Sequence, residues 1–517
     1  MLSRFILLLV LTPKIVLSQI SSLDVLSYHF SLRVTDEHDT VEMSEKITFN
    51  WKNTQIPPCL NLKSINKSGK GMFVRKVYSE NANIQFQHNN DTLYLVGLYG
   101  AKSPAEINIE YSGVPIDGLV IGKNKYGKRT FFGDNWPNRA QNWLACHDHP
   151  SDKAKVSFSV RAPSHYKVIA NGIFQSELNV SPKEKCWNYV SEIELPMKVV
   201  VVGIADFETS WPEENTVSSW VYPENKNAGF YDFDLAPSIL HFFEDYIAPY
   251  EFSTLANVQS TTRFGGMENA GCIFYDENAI DGTRTSEALI AHEIAHQWFG
   301  NSATEIDWPH LWLSEGFATY FTLLYQEKVK GKEFVLKELK QDRNQIISFC
   351  RKYPNPVIDS TQKDLMKLLN ANSYQKGSWI LHMLRKKLGD EVFQKIIQTY
   401  YSTYRLSFAS SSDFEQIAET VSGIELTEFF NQWLRTPGIP QLSIREQSKK
   451  KIFKATITQA QNKPLFNFPL QIQINFKDGT NVLETIQVSE RVTFFEKKYS
   501  KKISSFVLDP NVELLFE

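Results

Sequence analysis

The spacing of apolar residues along this 517-residue chain changes twice, from a repeat of two to a helical repeat and back. Up to about residue 207, alternating runs such as YHFSLRVT and AEINIEYSG are separated by turns, as is typical of strands. From residue 208 to 436, segments such as SEALIAHEIAHQWFG place apolar residues at i, i+3 and i+4, as amphipathic helices do. After RTPGIP the alternation returns. The pattern therefore predicts a β, then α, then β order of domains.

We interpret these changes as domain boundaries, because 517 residues exceed what one ordinary hydrophobic core can hold. We predict an N-terminal all-β domain at 19–207, a mainly helical domain at 208–436 and a small β-sandwich at 437–517. Hydrophobic residues make up 42% and charged residues 22%, which is the profile of a folded protein. The net charge of −3 gives no strong field toward nucleic acid, and we expect no nucleic-acid partner.

The first residues, MLSRFILLLVLTPKIVLSQ, have the features of a secretory signal peptide, predicted at 1–18. Arg4 precedes an apolar run, and the small Ser18 would lie at the cleavage site. Lys14 interrupts the run earlier than usual, so a buried N-terminal strand is the alternative. The run is shorter than the ~20 apolar residues that span a bilayer, and no later segment is long enough. We expect an exported protein, secreted or periplasmic, without a stable membrane span.

The five cysteines are widely scattered and contain no CxxC pair, so neither a disulfide framework nor a cysteine-based zinc site is predicted. A single bridge, for example between Cys146 and Cys186, stays open if the compartment is oxidising.

The helical segment contains HEIAH, in which His292 and His296 are separated by four positions. On a helix they lie one turn and about 40° apart, so both imidazoles can reach one ion. Glu293 lies beside that face, where it can contact water rather than the metal. The alternative is the ordinary surface of a helix.

A third ligand candidate follows in WPHLWLSEGFATY, where Glu315 lies nineteen residues after His296 on the next predicted helix. Two histidines and one carboxylate are the ligands of a catalytic zinc, whose fourth position is left for water. Alone, Glu315 would be interpreted as a solvated helix carboxylate. Together with HEIAH, it indicates a metal site.

The motif HExxH followed by eighteen residues and a glutamate resembles the aminopeptidase N and leukotriene hydrolase family of zinc metallopeptidases, the gluzincins. FGGMENAG, from residue 264, resembles that family's GxMEN motif, and SYQKGSW, from residue 373, resembles its Tyr-x-Lys-Gly segment. DFEQIAETVSG and FFNQWLRTPGIP resemble the end of its catalytic domain. The order and spacing fit from about residue 130 to 440.

This resemblance implies a multidomain α+β fold: an N-terminal β-sandwich-type domain, a thermolysin-like and mainly helical catalytic domain, and a small C-terminal β-sandwich. It implies a zinc-dependent aminopeptidase with one Zn2+ per chain, bound by His292, His296 and Glu315. The expected substrates are peptides with a free N-terminus. Glu293 would be the general base.

Tyr374 of the Tyr-x-Lys-Gly segment would donate its hydroxyl to the tetrahedral oxyanion. Without the motif, Tyr374 would be interpreted as a core aromatic residue whose hydroxyl caps a turn.

Within GGMEN, the resemblance assigns to Glu268 the binding of the substrate's α-ammonium group, through charge-assisted hydrogen bonds. Gly265 and Gly266 lack side chains, so a substrate backbone can pair with theirs like an added strand. Met267 and Asn269 complete the predicted substrate-binding segment. The alternative is a Gly-rich hairpin turn with an exposed glutamate.

The chain departs from the family pattern in FFGDNWPNRAQNWLACHDHPSDKA, where Ala145 replaces a proline. Asp134 and Trp136 stand roughly where relatives carry glutamines that reach the first-residue pocket. We predict that Asp134 supplies a second carboxylate to the ammonium pocket, or else caps a turn. Thr322 stands where many relatives carry an outer carboxylate. The sequence ends at Glu517, after the small sandwich, and we expect an open cleft that tolerates longer peptides.

Two other functions are considered. Hydrolysis of a lipid epoxide occurs in the leukotriene hydrolase branch, but members of that branch end in helices rather than in a β-sandwich. A catalytically dead relative could act as a binding scaffold. Such a protein should lack one of the metal ligands, the base or the tyrosine, and all of these residues are present.

Overall fold

The computed structural model describes residues 23–51, 57–80, 82–98, 103–211, 216–462 and 464–517. The predicted signal peptide at 1–18 lies outside the described residues. Among the described residues, none of the helices combines the length and the apolar character needed to cross a bilayer.

The N-terminal domain is built from strands, many of which alternate between buried and exposed side chains, as one-sided sheets do. In the largest sheet, β1 lies between its parallel partner β10 and its antiparallel partner β2. Cys146 and Cys186 carry free thiols, so the bridge considered between them is not formed. In chain order the strands are β1 (Leu23–Arg33), β2 (Val41–Trp51), β3 (Cys59–Asn61), β4 (Gly71–Tyr78), β5 (Gln87–Asn89), β6 (Thr92–Tyr94), β7 (Ala105–Val114), β8 (Leu119–Lys123), β9 (Arg129–Gly133), β10 (Lys153–Pro163), β11 (Lys167–Ala170), β12 (Ile173–Ser181), β13 (Glu184–Val190), β14 (Leu195–Pro196) and β15 (Val202–Ala205).

These strands form three sheets. The largest has the order β12-β13-β10-β1-β2-β7-β4, with β14 beside β10. The second has the order β11-β15-β9-β8, and the third has the order β3-β6-β5.

The region that follows the N-terminal domain opens with a five-stranded sheet of order β16-β17-β18-β20-β19. The sequence pattern predicted a mainly helical segment from residue 208, and it missed this sheet. Its central strand β18 is buried at every position, so it shows none of the alternation by which a half-buried strand is recognised. The strands are β16 (Glu208–Ser210), β17 (Val217–Val221), β18 (Leu255–Ser260), β19 (Gly266–Met267) and β20 (Cys272–Asp276).

Helices make up most of the rest of this region, up to Phe430. Helix α4 is buried over most of its circumference, which is the property of a helix at the centre of a domain. The helices are α1 (Lys226–Phe233), α2 (Ala236–Tyr246), α3 (Glu287–Ala295), α4 (Trp312–Lys330), α5 (Lys332–Lys352), α6 (Gly377–Leu388), α7 (Asp390–Tyr404), α8 (Ser411–Ser422) and α9 (Thr427–Phe430), and the short strands β21 (Thr304–Glu305) and β22 (Phe408–Ala409) pair in parallel between them.

The backbones of helices α4 and α6 are in close contact where Gly316 meets Gly377. A methyl group added at Gly316 would lie 2.9 Å from the Cα atom of Gly377, which is closer than carbon atoms pack. Glycine is therefore needed on both helices at this point. The contact brings the start of α6 against the first turn of α4, which carries Glu315.

The C-terminal domain consists of two three-stranded sheets, β23-β24-β27 and β26-β25-β28. Phe453 of one sheet packs against Phe506 of the other, with ring centroids 5.4 Å apart. The predicted small β-sandwich, and with it the predicted multidomain α+β fold class, is confirmed. The strands are β23 (Leu442–Glu446), β24 (Ile452–Gln459), β25 (Phe468–Phe476), β26 (Asn481–Val488), β27 (Val492–Lys498) and β28 (Ile503–Leu508).

Candidate active site

Helix α3 carries His292 and Glu293, and His296 follows at its C-terminal end. The chain then turns back sharply at Gly300, which has φ +113°. A methyl group at Gly300 would lie 2.2 Å from the hydroxyl oxygen of Ser314, so the tight turn depends on glycine. The turn brings α4 directly against α3.

This packing fixes the position of Nδ1, the ring nitrogen of His296 that does not point toward His292. Its Nδ1 atom lies 3.1 Å from the carbonyl oxygen of Phe299 and 3.1 Å from the hydroxyl oxygen of Ser314. When Nδ1 donates to the carbonyl group, Nε2 keeps its lone pair for a metal ion. The histidine is thereby oriented as a ligand.

Three ligand atoms converge on one point. The Nε2 atoms of His292 and His296 are 3.0 Å apart, and they lie 3.4 Å and 3.2 Å from Oε2 of Glu315. Four ligands placed tetrahedrally at ~2.0–2.1 Å from zinc would be roughly 3.3–3.4 Å from one another. The separations and the chemistry of the two imidazoles and the carboxylate therefore fit a zinc ion.

A second group of atoms overlaps the first. Carboxylate oxygens of Glu268 and Glu293 and a ring nitrogen of His296 lie within 4.8 Å of one another. Burial raises the pKa of both glutamates, His296 opposes that shift, and the neighbouring carboxylates add to it. Several buried carboxylates in one site require positive charge nearby. The metal position can supply part of that charge, and a bound cation beside Glu268 can supply the rest.

Gly266 makes room for Glu293. A methyl group at Gly266 would lie 2.3 Å from the Oε1 atom of Glu293, whereas one at Gly265 would meet only the Leu289 methyl groups at 3.9 Å. Strand β19 is the edge of its sheet: Gly266 and Met267 pair with β20 on one side. Within the described part of the chain no strand pairs with the other side, so an extended peptide can be added there.

We expect Gly266→Ala to lower kcat/KM about 5- to 150-fold, because relief of an overpacked contact costs about 1–3 kcal/mol and would displace Glu293. Gly122→Ala on β8 is the matched control, since its methyl group has room and it does not line the cleft. Hydrolysis of an aminoacyl anilide and a thermal melt should be measured for both variants. Equal losses of activity in the two variants would contradict this account.

Glu268 is fixed by residues that the sequence patterns did not single out. Its backbone carbonyl accepts hydrogen bonds from the side-chain amides of Gln297, at 3.0 Å, and Asn301, at 2.6 Å. Gln297 follows HEIAH directly and Asn301 lies five residues after His296, so their closeness to the motif is the signal that could have identified them. The Oε1 atom of Glu268 is buried and lacks a hydrogen-bond partner among the described residues, as do both amide atoms of Asn269.

Tyr374 lies on a π-helical turn, Asn372–Lys376, immediately before α6. Such turns are frequent at functional sites. The Tyr374 ring is nearly parallel to that of His292, with centroids 6.0 Å apart. Burial and the nearby Glu315 carboxylate raise the pKa of Tyr374 well above its usual value. The hydroxyl therefore stays protonated and can donate a hydrogen bond.

Most of the predicted residues meet at one cleft, whose cavity volume is about 60 Å3. The predicted metal ligands, Glu293, Glu268, Gly266, Met267 and Tyr374 line it, whereas the predicted substrate-binding residues Gly265 and Asn269 are not among its lining residues. Three further apolar side chains complete its walls: Trp136, Phe264 and Leu369. Trp136 was noted in the sequence only for its place near the glutamines of relatives, and Phe264 and Leu369 carry no local signal of this position.

Asp134 does not line the cleft. It is buried, and it forms a hydrogen-bonded ion pair with Arg139 and a looser contact, 3.5 Å, with Arg263. Burial raises the pKa of Asp134, and the two arginines oppose that rise. Thr322, at the other departure from the family pattern, donates its hydroxyl to the Ala318 carbonyl of its own helix.

Comparison with known proteins gives two family matches. Residues 25–196 match the peptidase M1 N-terminal domain, and residues 231–433 match the peptidase family M1 domain. Similar curated proteins include the glutamyl aminopeptidase of Sus scrofa, 27% identical over 68% of this chain and 40% of its own length. The probable aminopeptidase 1 of Sulfurisphaera tokodaii is 24% identical over 80% of this chain and 55% of its own length. The chain thus spans about half the length of these relatives.

Proposed function

This chain belongs to peptidase family M1, a family of zinc-dependent hydrolases, and we propose that it is an aminopeptidase that removes the first residue of peptides. One observation carries the proposal: the carboxylate of Glu268 lies within 4.8 Å of the Glu293 and His296 side chains. The Glu268 carboxylate can bind an ammonium ion, and it lies about one residue's length from Glu293 and the proposed metal ligand His296. Recognition of a free ammonium group is the feature that separates an aminopeptidase from an endopeptidase.

In this proposal His292, His296 and Glu315 would hold a zinc ion. When bound, the ion would supply Lewis-acid polarisation of the scissile carbonyl and would lower the pKa of water. Glu293 accepts the proton of the attacking water and passes it to the leaving amine. Burial raises the pKa of Glu293, so its carboxylate is a stronger base than an exposed one.

In this proposal the Tyr374 hydroxyl donates a hydrogen bond to the oxyanion. We expect Tyr374→Phe to lower kcat about 10²- to 10³-fold with little change in KM, because the bond forms only in the transition state. Steady-state kinetics on one aminoacyl anilide would measure both constants. A raised KM with an unchanged kcat would assign Tyr374 to substrate binding instead.

Glu268 and strand β19 make the enzyme an exopeptidase. The carboxylate binds the α-ammonium group, and the backbone of Gly266 and Met267 pairs with the substrate. The peptide is thereby held at its first residue, with the first peptide bond beside Glu293.

The test compares one peptide with its N-acetylated form. The purified protein is incubated with each, with and without a chelator, and products are identified by mass spectrometry. The proposal requires stepwise loss of single residues from the free peptide, much slower cleavage of the acetylated one, and recovery of activity when zinc is restored. Internal cleavage of both peptides would refute it.

A further inference from the structure

The cleft leaves one place for the side chain of the substrate's first residue. This step rests on the proposed function: the ammonium group lies at Glu268 and the first carbonyl at the metal ligands. The remaining walls are apolar, and they consist of Trp136, Phe264, Met267 and Leu369. The first side chain must therefore contact this group.

Trp136 is held firmly in that wall. Its ring meets Phe264 edge-to-face at 6.4 Å and Trp308 edge-to-face at 6.0 Å. Its backbone carbonyl accepts a hydrogen bond of 2.5 Å from Nε of Arg139, and the side chain is only 2% exposed. A ring packed between two others cannot turn aside without opening a cavity.

The cleft is small for a ligand site. Its volume of about 60 Å3 compares with the roughly 300–1,000 Å3 of sites that hold drug-sized ligands. A large side chain would overpack the site against a ring that cannot move. Besides the metal-ligand histidines, no basic side chain lines the cleft in the described part of the chain, so an acidic first residue would lack a counter-charge.

We propose that Trp136 determines the specificity of this enzyme, by restricting its substrates to peptides that begin with a small uncharged residue: glycine, alanine or serine.

The test uses a panel of aminoacyl fluorogenic amides with glycine, alanine, serine, leucine, phenylalanine, glutamate or arginine. For the wild-type protein, kcat/KM for alanine should exceed that for leucine at least about 10-fold, in line with the ~10–200-fold that pocket size ordinarily provides. Trp136→Ala should shift the alanine-to-leucine ratio at least about 10-fold toward leucine. Trp211→Ala is the matched control, because Trp211 is 51% exposed and does not line the cleft, and its ratio should equal the wild-type ratio.

The outcomes separate this inference from the proposed function. If amides are cleaved but leucine, phenylalanine, glutamate or arginine is preferred, or if Trp136→Ala keeps the wild-type ratio, the inference is wrong and the aminopeptidase proposal stands. If no amide is cleaved, the proposed function fails and the inference fails with it. Should circular dichroism show Trp136→Ala to be unfolded, Trp136→Phe takes its place, with the same direction of shift required.

Discussion

Replacing Glu293 with glutamine should lower kcat about 10²- to 10⁴-fold, the range that a positioned general base contributes. Glutamine has the shape of glutamate and cannot accept the proton of water. The Glu293 side chain occupies the space that Gly266 leaves free, since a methyl group at Gly266 would lie 2.3 Å from the Glu293 carboxylate. A glutamine at position 293 has the same size and should fit that space. KM should change little, because Glu293 is not assigned to binding of the substrate.

The measurement is steady-state kinetics together with zinc content. Glu287→Gln is the matched control: it makes the same substitution on the same helix, at a residue that pairs with Lys330 outside the cleft. That control should keep its activity, and Glu293→Gln should keep its zinc, since Glu293 is not among the three ligands. An active Glu293→Gln variant would refute the proposed mechanism.

Replacing Glu268 with glutamine should raise KM about 10- to 200-fold, because a hydrogen bond between charged partners contributes about 1.5–3 kcal/mol. The Oε1 atom of Glu268 is buried and has no partner in the described part of the chain, so the ammonium group is the partner we assign to it. The same substitution should abolish the preference for free over acetylated peptides.

The acetylated peptide serves as the internal control. The wild-type protein should cleave it poorly, and Glu268→Gln should treat free and acetylated peptides nearly alike. If the variant still rejects the acetylated peptide as strongly as the wild-type protein does, the ammonium group is bound by another residue.

The order of domains could be predicted from the sequence because each domain has its own hydrophobic period. The sheet at the start of the catalytic region could not, since β18 is buried on both faces and its residues do not alternate. A run of buried residues of that length is compatible with either a strand or a helix.

The pairing of His292 with His296 in one cluster could be predicted because a helix fixes their relation within one turn. Contacts between residues that are distant in the sequence leave no local sequence pattern. The contact of Gly316 with Gly377 and the space that Gly266 leaves for Glu293 depend on how distant segments meet. The place of Trp136 in the cleft wall depends on the N-terminal domain packing against the catalytic one.

The most direct test of the account is the zinc content of purified wild-type protein beside Glu315→Gln and Glu293→Gln, measured by inductively coupled plasma mass spectrometry after dialysis. The account predicts one zinc per chain in the wild-type protein and in Glu293→Gln, and a large loss of zinc in Glu315→Gln. A wild-type protein that binds no zinc, or a Glu315→Gln variant that retains it fully, would contradict the assigned site.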